Sequence, residues 1–219
     1  ATGTGKSFLT RIILAGLIHD NAASVLVFDM HNEYGFDDTA SDTGKAVPGL
    51  KTKFPTRVRV VGLGGGAQIR SQTPDFNLEI GMDDIMPADI EMLTRELNLK
   101  ETTPTTLDAL YNCFGRGWFS HFRKMLYQAT VETDDERGKP KRVPHPDSVA
   151  AWAGENGVNV MAAEGLHSKL GRVFNLPYVV EKPAADTISQ IIKALEGGQH
   201  VVLSFAGHEN DLDYLLLTN

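Results

Sequence analysis

A chain that opens Ala1-Thr2-Gly3-Thr4-Gly5-Lys6-Ser7 and runs straight into a helical pattern has few folds open to it. Gly5-Lys6-Ser7 ends the pattern G-x-x-x-x-G-K-[ST], a loop that wraps its backbone around phosphate. Gly3 and Gly5 permit the tight turn that aims successive N–H groups at phosphate oxygens. Lys6 brings positive charge to the β- and γ-phosphates, and the Ser7 hydroxyl is a candidate Mg²⁺ ligand. Thr2, Gly3, Thr4, Gly5, Lys6, Ser7 and Phe8 are thus the candidate nucleotide-binding residues, with ATP and Mg²⁺ as the expected cofactors. From Ser7 to Ile18 the apolar residues fall at helical spacing, so the helix turns its partly positive N-terminus toward the bound anion. A chance G-T-G-K-S in a surface turn would not lead into such a helix. The pattern's first Gly falls one position before Ala1, so the chain reads as a fragment with its loop cut, expected to bind nucleotide poorly by itself.

Ser24-Val25-Leu26-Val27-Phe28-Asp29 is a continuous apolar run ending in a carboxylate, as suits a parallel strand buried on both faces. Loop, helix and buried strand open a doubly wound α/β domain, whose ligands sit at the carboxyl ends of strands. Asp29 and Glu33 lie just beyond that strand end. Carboxylates there can hold Mg²⁺ through water or orient the attacking water, which makes both candidate catalytic residues. The alternative is a polar turn that merely ends the strand.

Composition bounds the function classes. The net charge of −7 argues against coating nucleic acid with the outer surface, but not against gripping DNA through a few loops in a channel. Cys113 is the single cysteine, so no internal disulfide framework exists and a reducing cytoplasm fits best. No apolar run approaches the roughly 18 residues of a membrane span.

Residues 36–57 read as a polar loop, and Arg57-Val58-Arg59-Val60-Val61-Gly62-Leu63 alternates like a strand near a sheet edge. Gly64-Gly65-Gly66 reads as a connector rather than a second phosphate loop, since no Lys or helix follows. From Phe76 the texture turns helical: Pro87–Leu97, Thr103–Phe114, Trp118–Thr130, Asp147–Ala153 and Met161–Val173 carry helical patterns. Met92, Phe119 and Met125 are assigned to the core there, and Glu132–Pro146 to an exposed loop whose Lys139, Lys141 and Arg142 are solvated. Alternation of strand and helix resumes near Pro177. The helix Asp186–Leu195 stops at Gly197-Gly198, and His200–Phe205 is a second buried strand. The domains expected are the first part of an ATPase core at 1–75, a helical insertion at 76–176, and a return to the core at 177–219.

G-T-G-K-S, then a strand and Asp29-Met30-His31-Asn32-Glu33-Tyr34, resembles the HerA family, hexameric ATPases of the HerA–FtsK superfamily that translocate DNA. Asp29, His31, Glu33 and Tyr34 match its D-x-H-G-E-Y motif, and Asn32 stands where Gly is usual; Asn tolerates positive φ well. The resemblance implies an α/β fold, a RecA-like P-loop NTPase core with a mostly parallel sheet and an inserted helical subdomain. It implies that Asp29 assists ATP hydrolysis, that the chain forms a homo-oligomeric hexamer with DNA in its central pore, and that a nuclease partner joins it. Asn210-Asp211-Leu212-Asp213-Tyr214-Leu215 is similar to the segment that precedes the family's Walker B strand. No apolar run here ends in Asp-Glu, so the catalytic glutamate, polar sensor and arginine finger are expected outside these residues. Two other readings stay open: a conjugation or secretion ATPase of the VirB type, and a nucleotide-binding switch domain without motor activity.

Overall fold

The computed structural model describes residues 6–39, 44–134 and 136–219. The phosphate-loop residues Thr2, Gly3, Thr4 and Gly5 lie outside the described residues. The chain begins with α1 (Lys6–His19), β1 (Leu26–Asp29), the short strands β2 (Asp38–Thr39) and β3 (Ala46–Val47), and α2 (Leu50–Lys53). Next come β4 (Val58–Leu63), β5 (Phe76–Leu78), β6 (Ile80–Gly81), α3 (Pro87–Met92), α4 (Thr103–Phe114) and α5 (Trp118–Lys124). β7 (Thr130–Asp134), β8 (Pro140–Pro144), α6 (Val149–Glu155), α7 (Val160–Phe174) and β9 (Val179–Val180) follow. α8 (Thr187–Glu196), β10 (His200–Ser204) and α9 (Asp211–Thr218) complete the chain. Two compact units result, one running to Ile80 and resuming at Pro183, the other spanning Gly81–Lys182.

The first unit is an α/β layer around a four-stranded parallel sheet of order β1-β10-β4-β5. β10, the last strand in sequence, enters between β1 and β4, and all five of its residues are buried. Its register sets Leu26 against Val201 and Asp29 against Ser204 on one side, and His200 against Val58 on the other. β4 is therefore interior but next to the short edge strand β5, which pairs only with Val61–Leu63, in keeping with its alternation. A polar member of that alternation, Arg59, is accommodated because its guanidinium reaches Gln199 and Asp75. Asp75 ties this region together, accepting the Val60 N–H and the Lys51 ammonium at 2.8 Å each.

α1 packs Leu14 and Ile18 against Phe36, Leu50, Val58, Val60, Ile69 and Val202, which fixes the helix on one face of the sheet. Phe8, Leu9, Ile12 and Ile13 lie on the outer side of α1 and are exposed. The stretch 36–57, expected to be loop, contains α2. Its N-terminal amides donate to the chain just after β1: Leu50 N–H to the Tyr34 carbonyl at 2.9 Å and Lys51 N–H to Gly35 at 3.0 Å. Gly49 permits this approach because a Cβ there would stand 2.4 Å from the Phe36 carbonyl carbon. The helix predicted at Asp186–Leu195 forms as α8, with the Asp186 carboxylate accepting the Ser189 N–H at 2.9 Å.

The second unit is mainly helical. Trp118, Phe119 and Phe122 of α5 and Phe174 of α7 are buried, with Phe119 and Phe174 in edge contact at 5.0 Å. Asn159 caps α7 by accepting the Ala162 N–H at 3.0 Å. Three expectations are corrected here. Glu132–Pro146 is not a loop: β7 and β8 pair antiparallel from Thr130↔Pro144 to Asp134↔Pro140. Thr130, Val131, Thr133 and Val143 favour the extended backbone, Glu132 faces Arg142 across the ladder, and Gly138 takes φ 70° between the strands. The helix begun at Trp118 ends at Lys124, where Met125 turns extended and Leu126 exchanges backbone bonds with Asp147 and Val149 instead, and α3 ends at Met92. Met92 is 50% exposed and Met125 half-buried, so of the three assigned core residues only Phe119 is enclosed.

Candidate functional site

Of the candidate residues that the structure describes, Lys6, Ser7 and Phe8 open α1, and Asp29 and Glu33 stand at and just beyond the C-terminal end of β1, all within the first unit. Lys6 and Ser7 head α1, whose first turn carries no acidic residue. Nothing negative in that turn competes for the free N–H groups and the partial positive charge of the helix end. Lys6 is exposed and Ser7 partly so, leaving ammonium and hydroxyl accessible, as phosphate and Mg²⁺ would require. Phe8 is 67% exposed, so its place in the set rests on its backbone amide rather than on its ring.

Asp29 ends β1 and is 1% exposed. Its Oδ1 accepts the Glu33 N–H at 2.8 Å, and its Oδ2 accepts those of Tyr34 at 2.9 Å and Gly35 at 3.3 Å. The aspartate therefore wraps the following turn around its own carboxylate. Burial pushes its pKa above the ordinary aspartate value; the three N–H bonds pull against this, and the nearby Glu33 charge adds to it. Asp29 thus presents no open carboxylate face to a ligand, and its reach into chemistry runs through the turn.

That turn carries Glu33. Among the described residues no hydrogen bond or ion pair holds the Glu33 carboxylate, and the side chain is only partly buried. The Glu33 backbone is fixed, by contrast, from two sides. Asp29 takes its N–H, while the Arg11 guanidinium, on the second turn of α1, donates to its carbonyl oxygen. Arg11 thereby ties the helix that opens on Lys6 and Ser7 to the turn that bears Glu33. His31 is exposed and Tyr34 packs against the core of the sheet face.

Sequence reasoning missed Arg11, although a lone charge inside Leu9–Ile13 was a signal that it meets a polar partner. It also missed Ser204 and Glu209, which meet Asn32: the Ser204 hydroxyl donates to Asn32 Oδ1, and Asn32 Nδ2 donates to Glu209 Oε1 at 3.0 Å. Nothing local in the sequence announces that meeting, since the residues stand far apart in the chain. Asp213, buried in the first turn of α9, accepts from Asn210 Nδ2 at 2.7 Å and lies 3.1 Å from His208 Nδ1. The conspicuous N-D-x-D-Y segment is accordingly used to start a helix.

Among the described residues no helix is long and apolar enough to cross a membrane. Compared with known proteins, residues 1–219 match the family described as "Helicase HerA, central domain" along their whole length. No curated protein and no solved structure gives a significant match.

Proposed function

The chain belongs to the family of the HerA helicase central domain, and from that premise we propose that it is the nucleotide-hydrolysing core of an ATP-driven DNA translocase. The observation that carries this reading is the bond from Arg11 to the Glu33 carbonyl. It joins the helix headed by Lys6 and Ser7 to the acidic turn after β1, the two parts that phosphoryl transfer needs side by side.

In this reading Lys6 holds positive charge where the β- and γ-phosphates sit, and Ser7 offers its hydroxyl to the metal. The amides of Thr2 to Phe8 are the expected cradle. Mg²⁺-ATP, when bound, supplies the transferable phosphoryl group and the metal's neutralising charge. Glu33 accepts a hydrogen bond from the attacking water and orients it. Asp29 assists hydrolysis by fixing the backbone that carries Glu33, and the parallel sheet gives both a rigid support. By family, the active form is a hexamer with DNA in its pore, the helical unit interrupts the ATPase core, and a nuclease acts beside it.

ATP hydrolysis by the full-length protein, measured with and without double-stranded DNA, tests the proposal. DNA-stimulated turnover that is abolished in Lys6→Ala is the expected result, together with a hexameric mass in sedimentation. Full activity in Lys6→Ala, or no hydrolysis by the wild type, overturns it.

A further inference from the structure

Asn32 occupies the one motif position where this chain departs from the resemblance, and its side chain is engaged at both ends. Its backbone takes φ 56°, a conformation that glycine and asparagine adopt at low cost. Glycine would satisfy the backbone but leave the space beyond it without a bonding group. Asn32 Oδ1 accepts the Ser204 hydroxyl, and Nδ2 donates to Glu209 at 3.0 Å. Both partners belong to the chain leaving β10. Ser204 is 2% exposed, pairs with Asp29 in the sheet, and its oxygen also accepts the Ala206 N–H at 3.3 Å. Glu209 Oε1 accepts the Gly207 N–H at 3.1 Å as well. One amide therefore joins the turn of residues 29–35 to the turn of residues 204–210 that leads into α9.

We propose that Asn32 is a positioning residue, which sets the Glu33 carboxylate through its two hydrogen bonds to Ser204 and Glu209 and so couples hydrolysis to the β10–α9 turn. The inference rests on the ATPase reading above. Its physical basis is reach. Asn32 is the immediate neighbour of Glu33, whose own backbone is held at its N–H and its carbonyl. A shift of the turn at Asn32 cannot be absorbed before it arrives at Glu33. Displacement of residues 204–210, which carry both partners, therefore moves the carboxylate rather than only the loop.

The test uses the full-length protein, with steady-state ATP hydrolysis and a melting curve for each variant. Asn32→Gly keeps the backbone conformation and removes both bonds. Its kcat should fall roughly tenfold with the KM for ATP changed less than about twofold, because misplacing a reacting group costs turnover rather than binding. Asn32→Asp should also lose turnover, since the introduced carboxylate faces that of Glu209. Asn32→Asp combined with Glu209→Gln restores a donor opposite an acceptor with the charge unchanged, at the expense of the Gly207 N–H bond to the same Glu209 oxygen, and should recover part of the rate. Wild-type kcat in a folded Asn32→Gly protein overturns the inference and leaves the ATPase reading intact. So does failure of the double variant to exceed Asn32→Asp alone, which also covers the case in which Asn32→Gly does not fold. A wild type that hydrolyses no ATP removes the reading and the inference with it.

Discussion

The Oδ1 atom of Asp29 lies 2.8 Å from the Glu33 amide nitrogen, four residues on, and the N–H between them points into a carboxylate that is 1% exposed. This contact, with those to Tyr34 and Gly35, makes one acidic residue of the motif the scaffold of the other. A buried carboxylate accepting from three amides is a rigid support, since each charged-acceptor bond contributes about 1.5–3 kcal/mol when made and costs more to leave unmade.

Asp29→Asn is therefore not the mild change its similar size suggests. An amide has one oxygen, and its nitrogen must face either the Glu33 N–H or those of Tyr34 and Gly35, donor against donor. The variant should lose about 1–3 kcal/mol of stability, and ATP turnover should fall at least about tenfold as Glu33 shifts. Urea unfolding at matched conditions beside steady-state kinetics checks both. Unchanged stability would show that the three amides do not depend on the second oxygen.

Replacing Arg11 by Met keeps the apolar stem and removes the guanidinium that reaches the Glu33 carbonyl. Stability should change by only about 1 kcal/mol, while kcat drops and nucleotide affinity holds. Equilibrium binding of a fluorescent ATP analogue, compared with turnover, separates the two. A loss of affinity equal to the loss of rate would make Arg11 a binding residue instead.

Gly49→Ala tests the support from below. The φ of −71° at Gly49 suits any residue, so the cost is purely steric: the added Cβ meets the Phe36 carbonyl carbon at 2.4 Å and the Gly35 oxygen at 2.5 Å. Backbone atoms cannot swing aside as a side chain does, and the expected destabilisation is about 1–3 kcal/mol. The denaturation midpoint of the variant measures it, and an unchanged midpoint would mean that α2 can withdraw freely from the turn after β1.

His200 should make the protein's stability fall in acid. It is 1% exposed at the start of β10, and neither ring nitrogen has a partner among the described residues. Burial, with the Arg57 charge adding to it, holds its pKa below the usual value of 6.5. A histidine pKa depressed by folding contributes stability that is full above the unfolded value and is lost as the pH falls toward the folded one. The melting temperature should thus drop on acidification from about pH 7.5 to 5.5, and His200→Leu should flatten that slope. At pH 7 the same variant should be neutral or more stable, because it removes a buried ring whose nitrogens have no partner among the described residues. An identical slope in His200→Leu would assign the sensitivity elsewhere, His167 being the other histidine held low by burial.

Local chemistry was enough for the sequence to determine much of this protein. The helix behind Gly5-Lys6-Ser7, the apolar strands ending at Asp29 and Ser204, and the capped helix starting after Asp186 each follow from residues near one another in the chain. Tertiary structure decided what those elements meet. Arg57–Leu63 alternates as a strand near a sheet edge would, and the fold supplies its neighbours: β10, more than a hundred residues later, pairs along one side and the short β5 along part of the other. The charged stretch at 132–146 reads as solvated loop, and it is mostly exposed, but its two halves satisfy each other's backbone as a hairpin. Glu33 and Asp29 look interchangeable in the sequence, two carboxylates past one strand. Only the fold shows that Asp29 is consumed by three amides while Glu33 is left accessible, and that Asn32 reaches Ser204 and Glu209 across the sheet edge. Periodicity and capping record how a residue treats its neighbours within a few positions. Which distant strand supplies the missing hydrogen bonds is set by the competition among all possible pairings, and no single stretch of sequence contains that comparison.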